Sequence, residues 1–242
     1  MISIRFSKWI LSLVLYCCLV ASQGCKKEDA ERLDTDNAKE NPGQIPGLGE
    51  MPGEPEGTQF KLPAGVRLVG EIEGQEDGPT SRDCVFDGPG FNVIVKMKLK
   101  RDSSVSGPLT VEFPPGLIIT SAAEGFQHGL LVERILVTIP PIQPGPGSNE
   151  CQVSLLLFSL NSAKRTSDAT ARYTFGPVTS SKLLKDLINR LKGKKINYRE
   201  FEDGDPVWFE NQEKIQDAIW QLTDGKGLRE KDIQYLNALP NR

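Results

Sequence analysis

The feature that most constrains the fold of this chain is a period-two alternation of apolar and polar residues. In the clearest run, apolar side chains occupy every second position: Phe91, Val93, Val95, Met97 and Leu99. The positions between them are mostly asparagine and lysine. Because successive side chains of a β-strand point to opposite faces of the sheet, this run predicts a strand with one buried face.

Similar short runs recur between Leu62 and Val178. Two of them alternate in the same way: Leu109, Val111 and Phe113, and then Leu131, Ile135, Val137 and Ile139. The segment from Gln152 to Leu160 is more continuously apolar, as expected of a strand covered on both faces. Clusters of Gly and Pro separate the runs and predict turns. Roughly six to eight strands in this arrangement predict a mainly β domain over residues 61–178, an immunoglobulin-like antiparallel β-sandwich.

After Val178 the apolar spacing changes to that of α-helices. Three candidate helices each present one apolar face: Leu184, Leu187, Ile188 and Leu191 in the first, Ile215, Ala218, Ile219 and Leu222 in the second, and Ile233, Leu236 and Leu239 in the third. The Thr-Ser-Ser run at 179–181 can cap the first helix, and the second begins near Asn211. The sequence therefore predicts a small three-helix C-terminal unit over residues 179–242.

The first 25 residues resemble the signal of bacterial lipoproteins. The parts of that signal follow one another along the chain: Arg5 and Lys8, the apolar stretch from Trp9 to Ala21, the small residues Ser22 and Gly24, and then Cys25. In lipoprotein precursors this cysteine is diacylated, cleaved free and N-acylated. The resemblance implies that residues 1–24 are a signal peptide and that Cys25 is the lipidation site. Ordinary secretory cleavage and an uncleaved N-terminal anchor are the alternatives.

The residues after Cys25 bear on which membrane holds the protein. Several acyl chains, at about 0.8 kcal/mol per buried methylene, hold a protein firmly on a bilayer. Lys26 rather than Asp follows the cysteine, which favours the outer membrane over the inner one. The charged patch up to Asp36 resembles the export tags of Bacteroidetes surface lipoproteins, and a solvated leash is the alternative. We expect a cell-envelope lipoprotein, on either the periplasmic or the surface face.

The segment between this anchor and the first predicted strand has the composition of a stalk. Residues 25–60 are rich in acids, Asn, Pro and Gly, and they contain few large apolar side chains. Such a composition buries too little surface to offset the entropy lost on ordering. We expect a lipidated, disordered Pro/Gly-rich stalk over residues 25–60.

The charge balance argues against nucleic-acid binding. The formal net charge is −3, and removal of residues 1–24 takes away two positive charges and no acid, which leaves −5. Nucleic-acid binding requires clustered Lys and Arg, whereas here the charges are spread along the chain. We therefore expect no nucleic-acid partner, and we expect the lipid anchor alone to attach the protein to the membrane.

The five cysteines divide into two groups. Three belong to the signal and its lipid site: Cys17, Cys18 and Cys25. The remaining pair, Cys84 and Cys151, predicts a disulfide in an oxidising compartment, which would stabilise the fold by roughly 4 kcal/mol. Two free thiols are the alternative. His128 is the only histidine, so the pair cannot complete a four-ligand zinc site, and we predict no metal and no cofactor.

One segment resembles bacterial thioester domains, which are adhesin modules. The segment is Gln216-Asp217-Ala218-Ile219-Trp220, which is similar to the Gln-x-Ala-Ile-Trp motif of that family. In the family, the glutamine of this motif condenses with an upstream cysteine, and the resulting electrophile captures surface amines. The family's aromatic-Cys-x-Asn setting corresponds here to Phe158-Ser159-Leu160-Asn161. Because Ser159 replaces the cysteine, the resemblance implies a thioester-like remnant of Ser159 and Gln216 that has lost its reactive bond. Ordinary core packing of Ile219 and Trp220 is the alternative.

The sequence offers no complete catalytic set. His128 has no Ser or Cys partner that the sequence identifies. Three acids and three aromatic residues stand close together: Glu200, Glu202, Asp203, Tyr198, Trp208 and Phe209. They fit either a carbohydrate site with paired carboxylates or a cover over the joint between sandwich and helices. We therefore predict a non-enzymatic binding or surface-structural lipoprotein whose partner is a cell-surface protein or glycan. The alternatives are a thioester-type adhesin module and a carbohydrate-active or carbohydrate-binding protein.

Overall fold

The computed structural model describes residues 40–76, 78–79, 83–102, 109–139 and 150–242. The predicted signal peptide and the lipidation site Cys25 lie outside these residues. In the described ranges, no helix combines the length and the apolar character that a membrane crossing requires.

The described part of the chain is mainly β, as predicted. Its strands are β1 (Gly57–Gln59), β2 (Val66–Gly74), β3 (Asp83–Asp87), β4 (Val93–Arg101), β5 (Leu109–Phe113), β6 (Leu117–Ser121), β7 (Gly129–Leu130), β8 (Ile135–Ile139), β9 (Glu150–Ser159) and β10 (Arg172–Thr179). The alternation read from the sequence is confirmed in β4, where Val93, Val95, Met97 and Leu99 are buried. The apolar β9 is buried along nearly all of its length.

Six of these strands close into a ring. Their order is β10, β2, β4, β9, β7 and β6, and β6 pairs back with β10 to complete a closed six-stranded barrel. Strand β1 adds to β10 outside the ring, and β3 pairs in parallel with β9. Strands β5 and β8 form a separate antiparallel pair. An immunoglobulin-like sandwich, as predicted, consists of two open sheets, whereas here the β6–β10 pairing closes six strands into a barrel. The alternation of apolar residues predicts which face of a strand is buried. It does not predict which strands pair.

Three helices follow the strands, which confirms the prediction for the C-terminal part. They are α1 (Lys182–Leu191), α2 (Pro206–Thr223) and α3 (Glu230–Ala238), with a 3₁₀ turn at Tyr198–Glu200 before α2. The Ser181 side chain caps α1 by accepting the Leu184 N–H at 3.2 Å. Helix α2 begins earlier than the predicted Asn211, because Asp205 caps it and Pro206 fills its first position.

The helices share a core with one end of the ring. Apolar side chains of all three helices form one buried cluster with Ile118, Leu130 and Phe158 from the strands. A second core fills the ring itself and the space beneath β5 and β8. Helix α2 thus lies directly against the end of β9, where the predicted Ser159 is located.

Residues 40–56, which we call the strap, lie against the helical unit. Ile45 and Leu48 are buried in the helical core, and Leu48 is 1% exposed. The Gly49 N–H donates to Leu160 O at 3.0 Å. Gly49 has φ 60°, and a Cβ atom there would lie 2.2 Å from Thr223 O. The strap backbone therefore packs more closely than a residue with a side chain would allow.

The described part of the predicted stalk is therefore ordered. For residues 40–60 the prediction of a disordered stalk is wrong. Ile45 and Leu48 enter a core that the helices and the sheet already form, and main-chain hydrogen bonds from the strap to Leu160 and Leu222 add to this packing. The density of glycine reflects close contact between backbones rather than mobility. Residues 25–39 lie outside the described residues.

Candidate functional site

The structure brings the two predicted remnant residues, Ser159 and Gln216, together. The Gln216 Nε2 donates to Ser159 O, and the Ser159 N–H donates to Gln216 Oε1, both at 2.8 Å. The pairing of β4 with β9 ends at Val93 opposite Leu157, two residues before this point. The Gln216 side chain therefore supplies hydrogen-bond partners to β9 beyond the end of β4.

The hydroxyl of Ser159 takes part in a second set of hydrogen bonds. Its Oγ accepts from the Trp220 indole at 3.3 Å and from the Asn161 N–H at 3.2 Å. The same oxygen lies 3.3 Å from Asn161 O, to which it donates. Among the described residues, no histidine or carboxylate contacts this hydroxyl, so the arrangement positions Ser159 without activating it as a nucleophile.

The neighbouring Asn161 ties this cluster to the strap and to the loop before β7. Its Nδ2 donates to Gly49 O at 2.9 Å, and its Oδ1 accepts the His128 N–H at 2.9 Å. Both polar atoms of the buried amide are thus engaged. The Phe-Ser-Leu-Asn segment therefore functions as a junction between β9, α2 and the strap.

His128 is held as a neutral side chain at this junction. Its Nδ1 accepts the Ser121 N–H at 2.9 Å, a bond that protonation of Nδ1 would abolish. Burial, and secondarily the positive charge of Lys164, lowers the pKa of His128 to about 4. The imidazole serves as a hydrogen-bond acceptor for the main chain.

The predicted disulfide partners are also brought together. Cys84 on β3 and Cys151 on β9 lie at disulfide distance, with their Cα atoms 5.5 Å apart and a sequence separation of 67. The pair joins the two strands of the parallel β3–β9 pairing. Cys151 is fully buried, whereas Cys84 is exposed.

The three aromatic residues of the predicted platform meet at the joint between sheet and helices. The ring of Trp208 lies 5.5 Å from Tyr198 and 4.9 Å from Phe209, measured between centroids. Trp208 is buried, whereas Phe209 is 44% exposed. Most of this cluster therefore covers the joint, and Phe209 is the member that faces solvent.

Phe91 belongs to the same cluster, although its sequence pattern assigned it to a strand. Its ring lies 6.1 Å from Trp208 and 6.3 Å from Phe209, and it precedes the first residue of β4, Val93. The Gly-Pro-Gly turn directly before it is the one sequence signal that could have placed it outside the strand. The exposed aromatic surface, which we define as the exposed Val207 and Phe209 together with the partly exposed Phe91, therefore combines residues from two distant parts of the chain.

Two of the three predicted acids serve the local structure. Glu200 accepts the N–H groups of Ile196 and Asn197 at 3.0 and 2.9 Å and pairs with Arg242. Asp203 accepts the Tyr198 hydroxyl at 2.6 Å. Glu202 is exposed. These contacts account for the positions of Glu200 and Asp203.

A small pocket of about 230 Å³ opens beside Phe91. Its polar lining includes Gln75, Asn92 and Ser167. The Ser167 Oγ accepts the Ile94 N–H at 2.9 Å and donates to Gln75 O at 3.2 Å. The buried Oδ1 of Asn92 has no hydrogen-bond partner among the residues that the structure describes. The pocket thus has a hydrogen-bonded polar wall at Ser167, next to the partly exposed side chain of Phe91.

A larger depression of about 690 Å³ lies over the outer faces of β2, β4 and β9. It forms where β2 bulges between Val69 and Glu73. The lining carries both charge signs, and Glu73 pairs with Lys96 at 3.3 Å. This mixture gives the depression no preference for a ligand of one charge.

The described ranges hold no group of three or more His, Cys, Asp or Glu side chains arranged to bind a metal ion. Comparison of the chain with protein-family models, with curated proteins and with solved structures finds no match.

Proposed function

We propose that the chain is an extracytoplasmic lipoprotein, held on a membrane through Cys25, that binds a cell-surface partner without catalysing a reaction. The leader and Cys25 support the membrane address. The placement of Cys84 and Cys151 at disulfide distance supports an oxidising compartment.

The observation that carries the binding role is the exposed aromatic surface. Val207 is 52% and Phe209 44% exposed, at the start of α2. Phe209 packs against the buried Trp208, which limits the positions that its ring can adopt. Large rigid apolar side chains that remain uncovered mark interaction sites, because they offer contact area at a small entropic cost.

The proposed role is tested with cells that display the whole protein. Labelled palmitate should enter the wild type and not a Cys25→Ala variant. Displayed wild type should adhere to some of a set of immobilised extracellular proteins and glycans, and a Val207→Ser/Phe209→Ser double variant should lose that adhesion. Leu136→Ser is the control, because Leu136 is 51% exposed but lies on β8. Adhesion that survives in the double variant, or palmitate on the Cys25→Ala protein, would contradict the proposal.

A thioester-type adhesin module without its cysteine is a second candidate. The observation that favours it is the contact of Gln216 with Ser159, the position at which the resemblance places the family's cysteine. Such a module would hold its partner through non-covalent contacts.

A further inference from the structure

We infer that the exposed face of α1 binds the anionic head groups of the bilayer that holds the lipid anchor. This inference rests on the membrane address of the proposed function, and it adds a protein surface to the attachment at Cys25. The spread of charge along the sequence predicts attachment by the anchor alone, whereas the fold places three lysines on one exposed face of a helix.

Helix α1 is amphipathic, and its exposed face is basic. Its apolar face is buried in the helical core. Lys182, Lys185 and Lys192, which we call the basic row, are exposed. Their spacings of three and seven residues bring them onto one face of the helix, over a length of about 15 Å. Residues 182–195 together carry six Lys or Arg and one acid, Asp186, in a chain whose net charge is −3.

The charges of the basic row are not used within the part of the chain that the structure describes. No carboxylate there forms an ion pair with any of the three lysines. The two lysines that follow the row differ from it. The Lys194 Nζ donates to Asn237 O and Leu239 O at 2.7 and 2.8 Å, and the Lys195 Nζ lies 4.6 Å from the centroid of the Phe201 ring. The basic row is therefore the part of this segment that is available to an anionic partner.

The path of the chain links the basic row to the lipid anchor. Glu40 lies at the start of α1, where its Oε2 accepts the N–H groups of Lys182 and Leu183 at 2.8 and 3.3 Å. Cys25 lies 15 positions earlier in the sequence. A chain of this length spans about 50 Å at most, so the start of α1 cannot move farther than this from the lipidated cysteine. The membrane is thus the anionic surface that the basic row meets most often.

Anionic head groups and a lipid anchor together give a stable contact. Each lysine near an anionic bilayer increases partitioning about fivefold, and three lysines therefore increase it about a hundredfold. A short tether raises the effective concentration of the docking surface to the order of millimolar, at which a preference of this size suffices. A lipid chain combined with a basic patch is a pair of signals that holds proteins stably on membranes. We therefore expect α1 to lie against the head groups.

Head-group photo-cross-linking tests the inference, using the full protein purified with any lipid that it carries. The protein is placed on phosphatidylcholine vesicles with or without phosphatidylglycerol, and a trace phospholipid with a photoreactive head group marks the peptides at the surface. On the anionic vesicles, cross-links should concentrate on residues 182–195. They should be at least about tenfold fewer on the neutral vesicles and in about 1 M salt, where the Debye length is about 3 Å.

The variant Lys182→Gln/Lys185→Gln/Lys192→Gln removes the charges of the basic row. Glutamine has a helix propensity close to that of lysine, so α1 should remain folded, which circular dichroism checks. Cross-links on residues 182–195 should fall about tenfold or more, to the level on neutral vesicles.

The matched control is Lys96→Gln/Lys98→Gln/Lys100→Gln, which makes the same change of charge on β4. Here Lys96 lies opposite Glu73 and Lys100 lies opposite Glu150 in the sheet, so acids already face this group of lysines. The control should cross-link like the wild type. Equal cross-linking of the two triple variants on anionic vesicles would overturn the inference.

Flotation with neutral vesicles reports on the anchor separately. Protein that floats with them but gives no cross-link on residues 182–195 with anionic vesicles retains its anchor, and the inference is wrong. Protein that does not float with them but cross-links there on anionic vesicles lacks the proposed anchor, and the contact of the basic row with head groups stands. Binding of the basic row to a soluble sulfated glycan, without head-group cross-links, would assign the surface to a glycan and overturn the inference.

Discussion

The side-chain amide of Gln216 pairs with both peptide groups of Ser159, through two hydrogen bonds of 2.8 Å. This contact fastens α2 to the end of β9, where the neighbouring β4 has already stopped. Both residues are buried, so no solvent can replace either bond. The pair resembles one further rung of a β-ladder, supplied by a side chain.

Removal of the Gln216 amide should therefore destabilise the protein strongly. Gln216→Ala leaves the N–H and C=O of Ser159 buried without partners, at an expected cost of about 2–4 kcal/mol in the free energy of unfolding. The adjacent Asp217→Ala is the control, because Asp217 is exposed on the same helix and should change stability by about 0.5 kcal/mol or less. Urea unfolding followed by circular dichroism measures both. Equal stability of the two variants would show that the paired contact does not hold in solution.

Restoring sulfur at position 159 should not restore a thioester. In Ser159→Cys the Gln216 amide stays bound to the main chain, and among the described residues no base contacts the side chain at 159. We expect an intact mass equal to that of the sequence and no incorporation of methylamine. Ser162→Cys, at an exposed position three residues away, is the control for thiol reactivity. Loss of one ammonia together with methylamine capture would instead favour the thioester-type module.

Local sequence signals predicted most of the elements, and tertiary contacts decided the rest. The alternation in β4 and the Ser181 cap of α1 were readable because each depends on neighbours within a few residues. Closure of the ring depends on the pairing of β6 with β10, which no periodicity encodes. The strap was misread because Ile45 and Leu48 use a core that distant residues build.

The candidate site, like the fold, could be predicted from the sequence only in part. The resemblance of the Gln216 segment led to its contact with Ser159, although the two residues are 57 positions apart. The pocket beside Phe91 was missed, because Asn92 and Ser167 meet only after the strands have paired. Contacts between residues that are distant in sequence cannot be predicted from the local spacing of apolar and polar residues.

The stability of the protein should fall between pH 6.5 and about 4 because of His128. Its pKa in the folded state is about 4, below the value of about 6.5 expected of the unfolded chain. The neutral form is therefore favoured by folding, and the stabilisation is complete above pH 6.5 and is lost as the pH falls towards 4. We expect His128 to account for about 3 kcal/mol of this loss by pH 4.

A His128→Asn variant isolates this contribution. The Asn side chain offers an acceptor near the position of Nδ1 for the Ser121 N–H, but it does not titrate. Carboxylates titrate in the lower part of the same pH range in both proteins, so the informative quantity is the difference between them. From pH 7.5 to 4, the stability of the wild type minus that of the variant should fall by about 3 kcal/mol. Parallel stability curves would mean that His128 is accessible and already titrates near its ordinary pKa.

Loss of the disulfide should lower the free energy of unfolding by about 4 kcal/mol. Without the bond between Cys84 and Cys151, whose sequence separation is 67, the loop between them is open in the unfolded chain. Cys84→Ser is the suitable variant, since Cys84 is exposed and the remaining Cys151 is buried as a small apolar side chain. Reduced wild type should unfold at the urea midpoint of the variant. A wild type whose midpoint does not respond to the reductant would instead have two free thiols.

The packing of the strap can be tested with two glycines that share one backbone conformation. Gly49 and Gly70 have φ values of 60° and 73°, so an alanine at either position pays a similar backbone strain of about 1–2 kcal/mol. At Gly70 a Cβ atom meets nothing within 4 Å, whereas at Gly49 it would lie 2.2 Å from Thr223 O. Gly49→Ala should therefore cost at least about 2 kcal/mol more than Gly70→Ala, since the backbone contact must open. It should also expose the strap to limited proteolysis. If the two variants unfold at the same urea concentration and resist protease equally, the strap does not pack on the helices in solution, and residues 40–56 behave as the stalk that their composition predicts.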